Sequence, residues 1–329
     1  MKPVKKIKEW CAAACLMALL AVMQGCVNDD LEDCGIGVRF RYVKNVDRID
    51  KFASSVDRIT LFVFDGDGKF IEEYHAGGEL LKKDYVMILP LRAGDYKLVA
   101  WGNPEEEDYE ITPCQAGVTT LDEVMLSLRR AEKDTVTGHP AHLFHAGVQD
   151  VTISSNYEGR KYLTMDMTKN TNTIRVEAFG LPLETNTNTK TKTKTGLSGT
   201  TFDCIITSKN GDYKFDNSIT GPRLTYIPHY STEDNTLVSD FVILRELNDG
   251  LTDSRLIIKH YPGESGANGG IPYELFNASL TGLLVPAAVS GDLDIDDEYD
   301  IELWFDYTNG TATIVVNGWT ITETPGVIG

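Results

Sequence analysis

Hydrophobic and polar positions alternate along most of the chain after residue 36. Near the start of this pattern, Val38, Phe40 and Tyr42 fall on one side, and Arg39 and Arg41 fall on the other. Successive side chains of a strand point to opposite faces, so a period of two indicates a strand with one buried face. The pattern therefore predicts that the folded part of the chain begins with a half-buried strand.

The next strand, predicted over residues 56–65, is apolar on both of its faces. The apolar residues are Ile59, Leu61 and Val63 on one face and Phe62 and Phe64 on the other. A strand of this kind is covered on both sides, which predicts a central position in its sheet. The run Asp65-Gly66-Asp67-Gly68 that follows is typical of a hairpin turn.

Strand patterns separated by turn signals continue to the end of the chain. They are predicted at 69–74, 85–91, 95–101, 124–128, 148–153, 161–167, 172–179, 202–208, 224–230, 240–246, 255–261, 275–284, 299–306 and 311–321. No stretch after residue 26 shows a long amphipathic helix. The spacing predicts an all-β protein built from sandwiches rather than βαβ units.

The length of 329 residues favours two domains. We predict a signal peptide at 1–25, an acidic tether at 26–35, and two β-sandwich domains at 36–158 and 159–329. The second domain contains a Thr/Asn/Lys tract over residues 184–200 whose one large apolar side chain is Leu197. Such a composition cannot bury much surface, so this tract is predicted to be an exposed, flexible loop.

The first 25 residues have the pattern of an export signal. Four lysines precede an apolar run over residues 10–23, which is too short to span a bilayer. Gly25 and Cys26 follow, and they predict lipoprotein processing, with cleavage after Gly25 and a diacylglyceryl group on Cys26. Lipidation at Cys15 and an ordinary secretory signal are the alternatives. The protein is predicted to be lipid-anchored in the outer membrane and exposed on the cell surface.

The body of the protein is acidic. The chain has 49 acidic and 31 basic side chains, a net charge of −18, and removal of residues 1–25 changes this to −21. Nucleic-acid binding needs clustered lysines and arginines, so this balance argues against a nucleic-acid partner.

No candidate for catalysis or metal binding has a strong pattern. His139, His142 and His145 are spaced by three, but Pro140 disfavours the helix that would bring their rings together for zinc. The acidic segment 292–298 could offer oxygens to calcium, yet it lacks the glycine and the final glutamate of an EF-hand loop. Nucleophile and phosphate-loop motifs are absent. We therefore predict a non-enzyme with no cofactor and no metal.

Three cysteines remain after Cys26, namely Cys34, Cys114 and Cys204. An odd number in an exported protein allows at most one disulfide among them. A bridge between Cys34 and Cys114 would stay within the first domain, but the other pairings remain open.

Several motifs in order resemble the FimB-type fimbrial anchor family of type V pili over nearly the whole mature chain. They are the lipid cysteine with its acidic tether, Val38-Arg39-Phe40-Arg41-Tyr42, the segment 56–65, Gly94-Asp95-Tyr96-Lys97-Leu98-Val99-Ala100-Trp101-Gly102-Asn103, residues 167–176 and Val316-Asn317-Gly318-Trp319-Thr320. The resemblance implies two tandem transthyretin-like β-sandwiches, no catalysis, and fimbrial pilin subunits as partners.

The resemblance also implies assembly by strand exchange, in which a neighbour's strand fills the groove of a subunit that has lost its first strand. An anchor would keep its own first strand, with Val38, Phe40 and Tyr42 filling the groove, so growth would end there. The donor to the first pilin is predicted to be one strand over 311–321. Its candidate residues are Ile314, Val315, Val316, Asn317 and Trp319.

Three alternatives remain open. The segment 311–321 could simply pair within its own domain. Cleavage after Arg39, Arg41, Arg48 or Arg58 would turn the anchor into a polymerising shaft or accessory subunit. The same sandwiches could also serve a surface adhesin or glycan-binding lipoprotein, although Trp101, Trp304 and Trp319 all fall in predicted strands.

Overall fold

The computed structural model describes residues 35–154, 159–183, 202–233, 236–261 and 272–325. The signal peptide, Gly25, Cys26 and the tract 184–200 lie outside these ranges.

The first half of the described chain contains ten strands and one short helix. They are β1 Gly35–Arg41, α1 Phe52–Ser55, β2 Arg58–Asp65, β3 Phe70–Gly77, β4 Met87–Leu89, β5 Gly94–Gly102, β6 Tyr109–Ile111, β7 Met125–Leu128, β8 Thr135–Thr137, β9 Phe144–Ile153 and β10 Arg160–Lys169. Short 3-10 turns lie at Gly78–Leu80, Leu121–Glu123 and Glu132–Asp134.

The second half contains twelve strands and one helix. They are β11 Thr171–Phe179, β12 Phe202–Ser208, β13 Asp212–Lys214, β14 Ile219–Thr220, β15 Leu224–Ile227, β16 His229–Glu233, β17 Thr236–Leu244, β18 Arg255–His260, β19 Tyr273–Ser279, α2 Leu280–Ala287, β20 Glu298–Asp306, β21 Thr311–Val316 and β22 Trp319–Pro325. The predicted all-β class is confirmed.

The strands form four sheets. The first has the order β3-β2-β5-β9-β10-β1-β4, and the second has the order β16-β17-β11-β20-β21-β22. Smaller sheets have the orders β19-β18-β12-β15-β8 and β14-β13-β7-β6. The pairs β1–β10, β11–β20 and β8–β15 are parallel, and the other pairs are antiparallel.

The central strand predicted over 56–65 is observed as β2, and both of its faces are buried. Ile59, Leu61 and Val63 enter one hydrophobic core, which they share with β1 and β4. Phe62 and Phe64 enter the other core, where both rings contact Phe215 of the second half. The second core continues into the six-stranded sheet, so apolar packing joins the two halves of the chain.

Sheet membership divides the chain differently from the predicted boundary between 158 and 159. Strand β10 begins at Arg160, yet it pairs with β9 and β1 in the first sheet. The chain leaves the first sheet for the last time at Asn170, between β10 and β11. In addition, β8 of the first half pairs with β15, and β7 pairs with β13. Long-range pairing of this kind leaves no mark in the local pattern of side chains.

The strand predicted over residues 275–284 is only half correct. Strand β19 ends at Ser279, and α2 follows directly. The Ser279 hydroxyl accepts a hydrogen bond from the Gly282 N–H at 3.2 Å, which is the usual role of an N-cap serine. Leu280, Leu283 and Leu284 are buried, so the apolar run belongs to a helix face rather than to a strand.

Candidate functional site

The first strand, β1, lies inside its sheet, with β10 on one side and β4 on the other. Its register places Val38 opposite Leu163 and Phe40 opposite Met165. Val38 and Phe40 are buried in the first core, and so is Tyr42 just beyond the strand. The predicted alternation is confirmed because the intervening Arg39 and Arg41 are exposed.

The outer face of β1 is held by side chains of the parallel strand β10. The Arg41 guanidinium forms two hydrogen bonds with the Asp166 carboxylate, at 2.7 and 2.9 Å. The Arg39 guanidinium carbon lies 5.1 Å from the centre of the Tyr162 ring. That ring crosses β1 at Gly37, where a Cβ atom would come within 2.7 Å of it. Gly37 therefore permits the close approach of Tyr162.

The chain just beyond β1 is held by contacts within the first half and by one ion pair to the second half. The Tyr42 N–H donates to an Asp50 carboxylate oxygen at 3.0 Å, and the Tyr42 ring meets Phe144 edge-on at 5.0 Å. Beyond it, the Lys44 ammonium donates to Asp294 of the second half at 2.5 Å. Burial is the main factor that raises the pKa of the Tyr42 hydroxyl, so this side chain stays neutral. These contacts fix the direction in which the chain leaves β1.

Two aspartates of the acidic segment 292–298 form ion pairs with basic side chains, and these pairs lie at the junction between the halves. Asp294 contacts Lys44 and also the buried Arg245, the latter at 2.7 Å. Asp297 pairs at 2.6 Å with Lys169, which is buried at the end of β10. Asp294 and Asp297 are thus engaged in ion pairs, and this arrangement does not support a calcium site in the segment 292–298.

The three histidines do not converge. His139 Nε2 lies 2.9 Å from the Asp240 carbonyl, His142 Nδ1 lies 3.1 Å from the Thr171 hydroxyl, and His145 Nε2 lies 3.0 Å from the Phe215 carbonyl. Burial lowers the pKa of both His142 and His145 to about 4, so both are neutral at pH 7. His145 lies in β9, which begins earlier than the strand predicted over residues 148–153.

Within the described ranges, no group of three or more His, Cys, Asp or Glu side chains is placed to hold a metal ion. The buried Glu246 carboxylate is instead surrounded by hydroxyl donors, Thr252 at 2.7 Å, Ser254 at 2.5 Å and Thr281 at 3.3 Å. Burial raises the pKa of Glu246. This network joins the loop after β17 to α2, and sequence reasoning did not identify it.

The predicted donor strand over 311–321 is two strands, and this corrects the prediction of one continuous strand. Asn317 and Gly318 have φ angles of 48° and 79° and form the two-residue turn between β21 and β22. Two successive positive φ angles are the mark of a type I′ hairpin turn, for which Asn-Gly is the favoured sequence. The Asn317-Gly318 dipeptide was therefore a signal for this hairpin turn in the sequence itself.

The five donor candidates have different surroundings in this hairpin. Ile314 and Val316 are buried in the second core, and Val315 is half-buried on the opposite face of β21. Asn317 lies in the turn, where its side-chain oxygen accepts a hydrogen bond from the Asp300 N–H. Trp319 begins β22, the last strand of its sheet, and is 68% exposed.

The other tryptophans differ in burial. Trp101 is fully buried in β5 beside His145, with ring centres 4.4 Å apart. Trp304 in β20 is 47% exposed and stacks on Phe179 at 4.0 Å, with 11° between the ring planes. Its indole N–H donates to Glu302 at 2.9 Å. The three tryptophans of the described ranges, Trp101, Trp304 and Trp319, all lie in strands as predicted, but two of them present surface to solvent.

Two of the cysteines can be placed. Cys114 is half-buried and lies against the second core, and Cys204 is fully buried in β12; neither forms a disulfide among the described residues. Burial raises the pKa of Cys114 to about 11 and that of Cys204 to about 12, so both are protonated thiols at pH 7. Cys34 and the predicted lipid site Cys26 precede the described part of the chain. None of the described helices is long and apolar enough to cross a membrane.

The structure is that of an all-β protein in which the first described strand lies inside a sheet and the last described strand lies at an edge. Residues 31–324 match the family described as Fimbrillin-A associated anchor proteins Mfa1 and Mfa2. The chain belongs to this family of fimbrial anchor proteins, which is structural rather than catalytic, and the predicted resemblance is confirmed.

Individual proteins are similar to this chain in sequence and in fold. The chain is 23% identical over 325 residues to the minor fimbrium anchoring subunit Mfa2 of Porphyromonas gingivalis, covering 93% of this chain and 92% of that protein. The fold is similar to the crystal structure of the fimbrial anchor protein Mfa2 from P. gingivalis, with a TM-score of 0.70, 20% identity, and coverage of 88% and 99%. It is also similar to a Bacteroides ovatus protein described as a candidate adhesin, with a TM-score of 0.73, 22% identity, and coverage of 91% and 98%.

Proposed function

We propose that this protein anchors the base of a type V fimbria at the cell surface, held in the outer membrane by a lipid on Cys26. In this proposal it ends fimbrial growth and joins the first pilin by donor-strand exchange. Two transthyretin-like β-sandwich units would form its body. The observation that carries the proposal is the interior position of β1, together with membership of the fimbrial anchor family.

The end of growth follows from the strand that occupies the groove. In strand exchange, a subunit accepts a neighbour's strand only where its own sheet has a vacancy. Here Val38, Phe40 and Tyr42 of the chain itself fill that place, and β10 and β4 bond the strand from both sides. A further subunit would have to displace all of these contacts.

We assign the donor role to β22, which begins at Trp319. Of the predicted donor residues, Ile314 and Val316 are buried within their own core, so donation of β21 would expose that core. Strand β22 pairs with one neighbour and ends its sheet. It can therefore leave its sheet at the smallest cost, which makes it the better candidate for contact with a pilin.

A pull-down from outer membranes tests this assignment. The membrane-bound protein is expected to give an SDS-resistant ladder with a pilin, since exchanged strands are held by a full set of backbone bonds. A chain that ends at Gly318 is expected to lose the ladder, while Trp319→Ala, with an intact β22 backbone, keeps it at reduced intensity. An undiminished ladder from the shortened chain would rule out β22 as the donor.

The shaft-subunit alternative makes a different prediction for the N-terminus. Arg39 and Arg41 are bonded into β1, whereas Arg48 lies in the exposed loop between β1 and α1. Intact mass of the surface protein is expected to show lipidated Cys26 as the first residue. A mature N-terminus at Ile49 would favour the shaft subunit.

The exposed tryptophans favour a second candidate function, an adhesin that binds glycans. An exposed indole beside a carboxylate, as in Trp304 with Glu302, is suited to stacking on a sugar ring and accepting its hydroxyl groups. Deletion of the gene distinguishes the two functions. Shed or abnormally long fimbriae support the anchor, whereas normal fimbriae with lost glycan binding, reproduced by Trp304→Ala, support the adhesin.

A further inference from the structure

A cleft of about 760 Å³ in the first half of the chain is lined by residues of β2, β3 and β6 and by the segment 112–114. Strand β3 ends the seven-stranded sheet, and β6 ends the four-stranded sheet. Residues of both strands line this space, which we call the edge cleft, and its apolar lining consists of Phe62 of β2 together with Phe70, Tyr109 and Ile111. Strand β22 belongs to a third sheet and contributes no residue to the lining of the cleft, so the cleft is separate from the proposed pilin contact.

The backbone of β3 directs hydrogen-bonding groups away from its only strand neighbour. Gly78 N–H donates to the Asp57 carbonyl at 2.9 Å, and Gly77 pairs with Arg58. Gly77 and Arg58 therefore form a non-hydrogen-bonded pair. The two kinds of pair alternate along an antiparallel ladder, so His75 and Glu73 are also in non-hydrogen-bonded pairs with β2. His75 and Glu73 thus point their N–H and C=O groups away from β2, and both residues line the edge cleft.

The backbone of β6 has the same property. Arg129 N–H donates to the Asp108 carbonyl at 2.7 Å, and Thr112 N–H donates to the Met125 carbonyl at 2.9 Å. These bonds lie on either side of Glu110, which therefore exchanges bonds with β7. Ile111, the next residue, directs its N–H and C=O away from β7, and it also lines the edge cleft.

The charge at the rim of the edge cleft selects the kind of strand that could enter. Its two arginines are engaged with glutamates, Arg58 with Glu105 at 3.3 Å and Arg129 with Glu110 at 3.6 Å. Glu72 and Glu73 contact only Tyr74 and His75 among the described side chains, at 2.5 and 3.2 Å. Charged edge residues deter pairing between like sheet edges. The same negative charge attracts a strand that carries lysine or arginine.

We propose that the edge cleft binds an extended, lysine- or arginine-bearing segment of a partner protein as an added strand. Main-chain hydrogen bonds to Glu73, His75 and Ile111 supply the pairing, and the rim glutamates select basic side chains. Phe62, Phe70 and Tyr109 are already almost fully buried, so apolar contact adds little. The complex is therefore weak and transient, as expected for strand addition without deep side-chain pockets.

A synthetic peptide tests the proposal with the full chain. The probe is a peptide of about ten residues that alternates valine and lysine, which is the length of a long strand. The matched control alternates valine and glutamate. Fluorescence anisotropy is expected to show a dissociation constant on the order of 100 μM for the lysine peptide and at least tenfold weaker binding of the glutamate peptide.

A pair of variants at His75 isolates the backbone contact. His75→Ala and His75→Pro both remove the imidazole with its contacts to Thr60 and Glu73, but only proline also removes the outward N–H. We expect His75→Pro to bind the lysine peptide roughly fivefold more weakly than His75→Ala, which is the effect of one hydrogen bond. Equal binding by the two variants would overturn strand pairing.

Reversal of the charge at Glu73 tests the same proposal if His75→Pro fails to fold. Glu73→Lys is expected to weaken the lysine peptide and to strengthen the glutamate peptide, with Glu73→Gln intermediate for both. No binding of the lysine peptide at about 1 mM would overturn the proposal, and so would equal binding of both peptides. Sedimentation that shows a dimer of the unmodified chain, abolished by Glu73→Lys, would identify a second copy as the occupant and contradict the partner stated here.

Discussion

The first and last strands of the described chain have opposite positions. Each has seven residues, but β1 lies between two strands and β22 pairs with only one. Strand β1 buries Val38 and Phe40 in a core and is held on its outer face by Arg41 and Asp166. Strand β22 begins with the exposed Trp319.

This difference supports the proposal that the chain closes one end of a fimbria and offers a strand at the other. Removal of β1 would break two ladders and open a core, whereas removal of β22 would break one ladder at an edge. An edge strand presents unpaired backbone groups to any strand that approaches. The N-terminal strand is therefore suited to permanent occupancy, and the C-terminal strand is suited to exchange.

The largest effect is expected from Phe40→Ala. The ring is buried in the first core and stacks on Phe52 at 5.7 Å, so its loss leaves a cavity beneath β1. We expect the free energy of unfolding to fall by about 3–5 kcal/mol in denaturant titrations. The free energy of unfolding of the control, Phe40→Leu, should fall by a clearly smaller amount. A loss below about 1 kcal/mol for Phe40→Ala would show that β1 contributes little to the fold.

Acid is expected to weaken the contact between His145 of β9, in the seven-stranded sheet, and the Phe215 carbonyl of the second half. The pKa of His145 is about 4 in the folded state because of burial, below the value of about 6.5 in an unfolded chain. The fold therefore binds fewer protons than the unfolded chain. The His145 contribution is complete above pH 6.5 and is lost as the pH falls towards 4, by about 3 kcal/mol in total.

The variant His145→Gln isolates this contribution, since glutamine can donate to the Phe215 carbonyl without taking up a proton. His142 is retained in both proteins, so its own titration cancels in the comparison. Unfolding measured from pH 7 to pH 4 should show a flatter pH dependence for the variant. Identical profiles would assign the acid sensitivity to other groups.

A smaller loss is expected from Gly37→Ala, which forces the Tyr162 ring away from β1. Because that ring is half exposed and can turn aside, we expect a loss of about 1 kcal/mol in the free energy of unfolding. The double variant with Tyr162→Ala should remove the clash with the ring and leave the close contact with Val86 Cγ1 at 3.0 Å, so the two changes should not be additive. Gly147→Ala is the control, because a Cβ atom there meets no atom within 4 Å.

The smallest effect is expected from Trp319→Ala at the start of β22. The side chain is mostly exposed, so the free energy of unfolding should change by less than about 0.5 kcal/mol. Thermal unfolding of the variant and the unmodified chain provides the measurement. If Trp319→Ala lowered the free energy of unfolding as much as Phe40→Ala, β22 would be held as firmly as β1. The proposed difference between the two strands would then be wrong.

The sequence predicted the strands whose side chains alternate in an unambiguous way. Val38 and Phe40 in β1 and the two apolar faces of β2 were correct because each pattern extends over several residues. The helix α2 was missed because its apolar run follows β19 without a break, and Ser279 is the only signal between them. The turn at Asn317 and Gly318 was missed although its dipeptide is a strong hairpin signal.

The membership of strands in sheets required the tertiary structure. Nothing in the sequence near Arg160 shows that β10 pairs with β1, whose residues lie more than a hundred positions earlier. The interior position of β1 and the edge position of β22 follow from such pairings. The edge cleft was also invisible to sequence reasoning, because β3 and β6 belong to different sheets.

By itself, the amino-acid sequence determined the all-β class, the faces of individual strands and the resemblance to fimbrial anchors. Only the tertiary structure decided which strands are neighbours and which edges remain open. The physical reason is that side chains encode burial, and they alternate visibly along a strand. The hydrogen bonds between strands are made by backbone groups that nearly every residue carries, so their partners are chosen only when the whole chain packs.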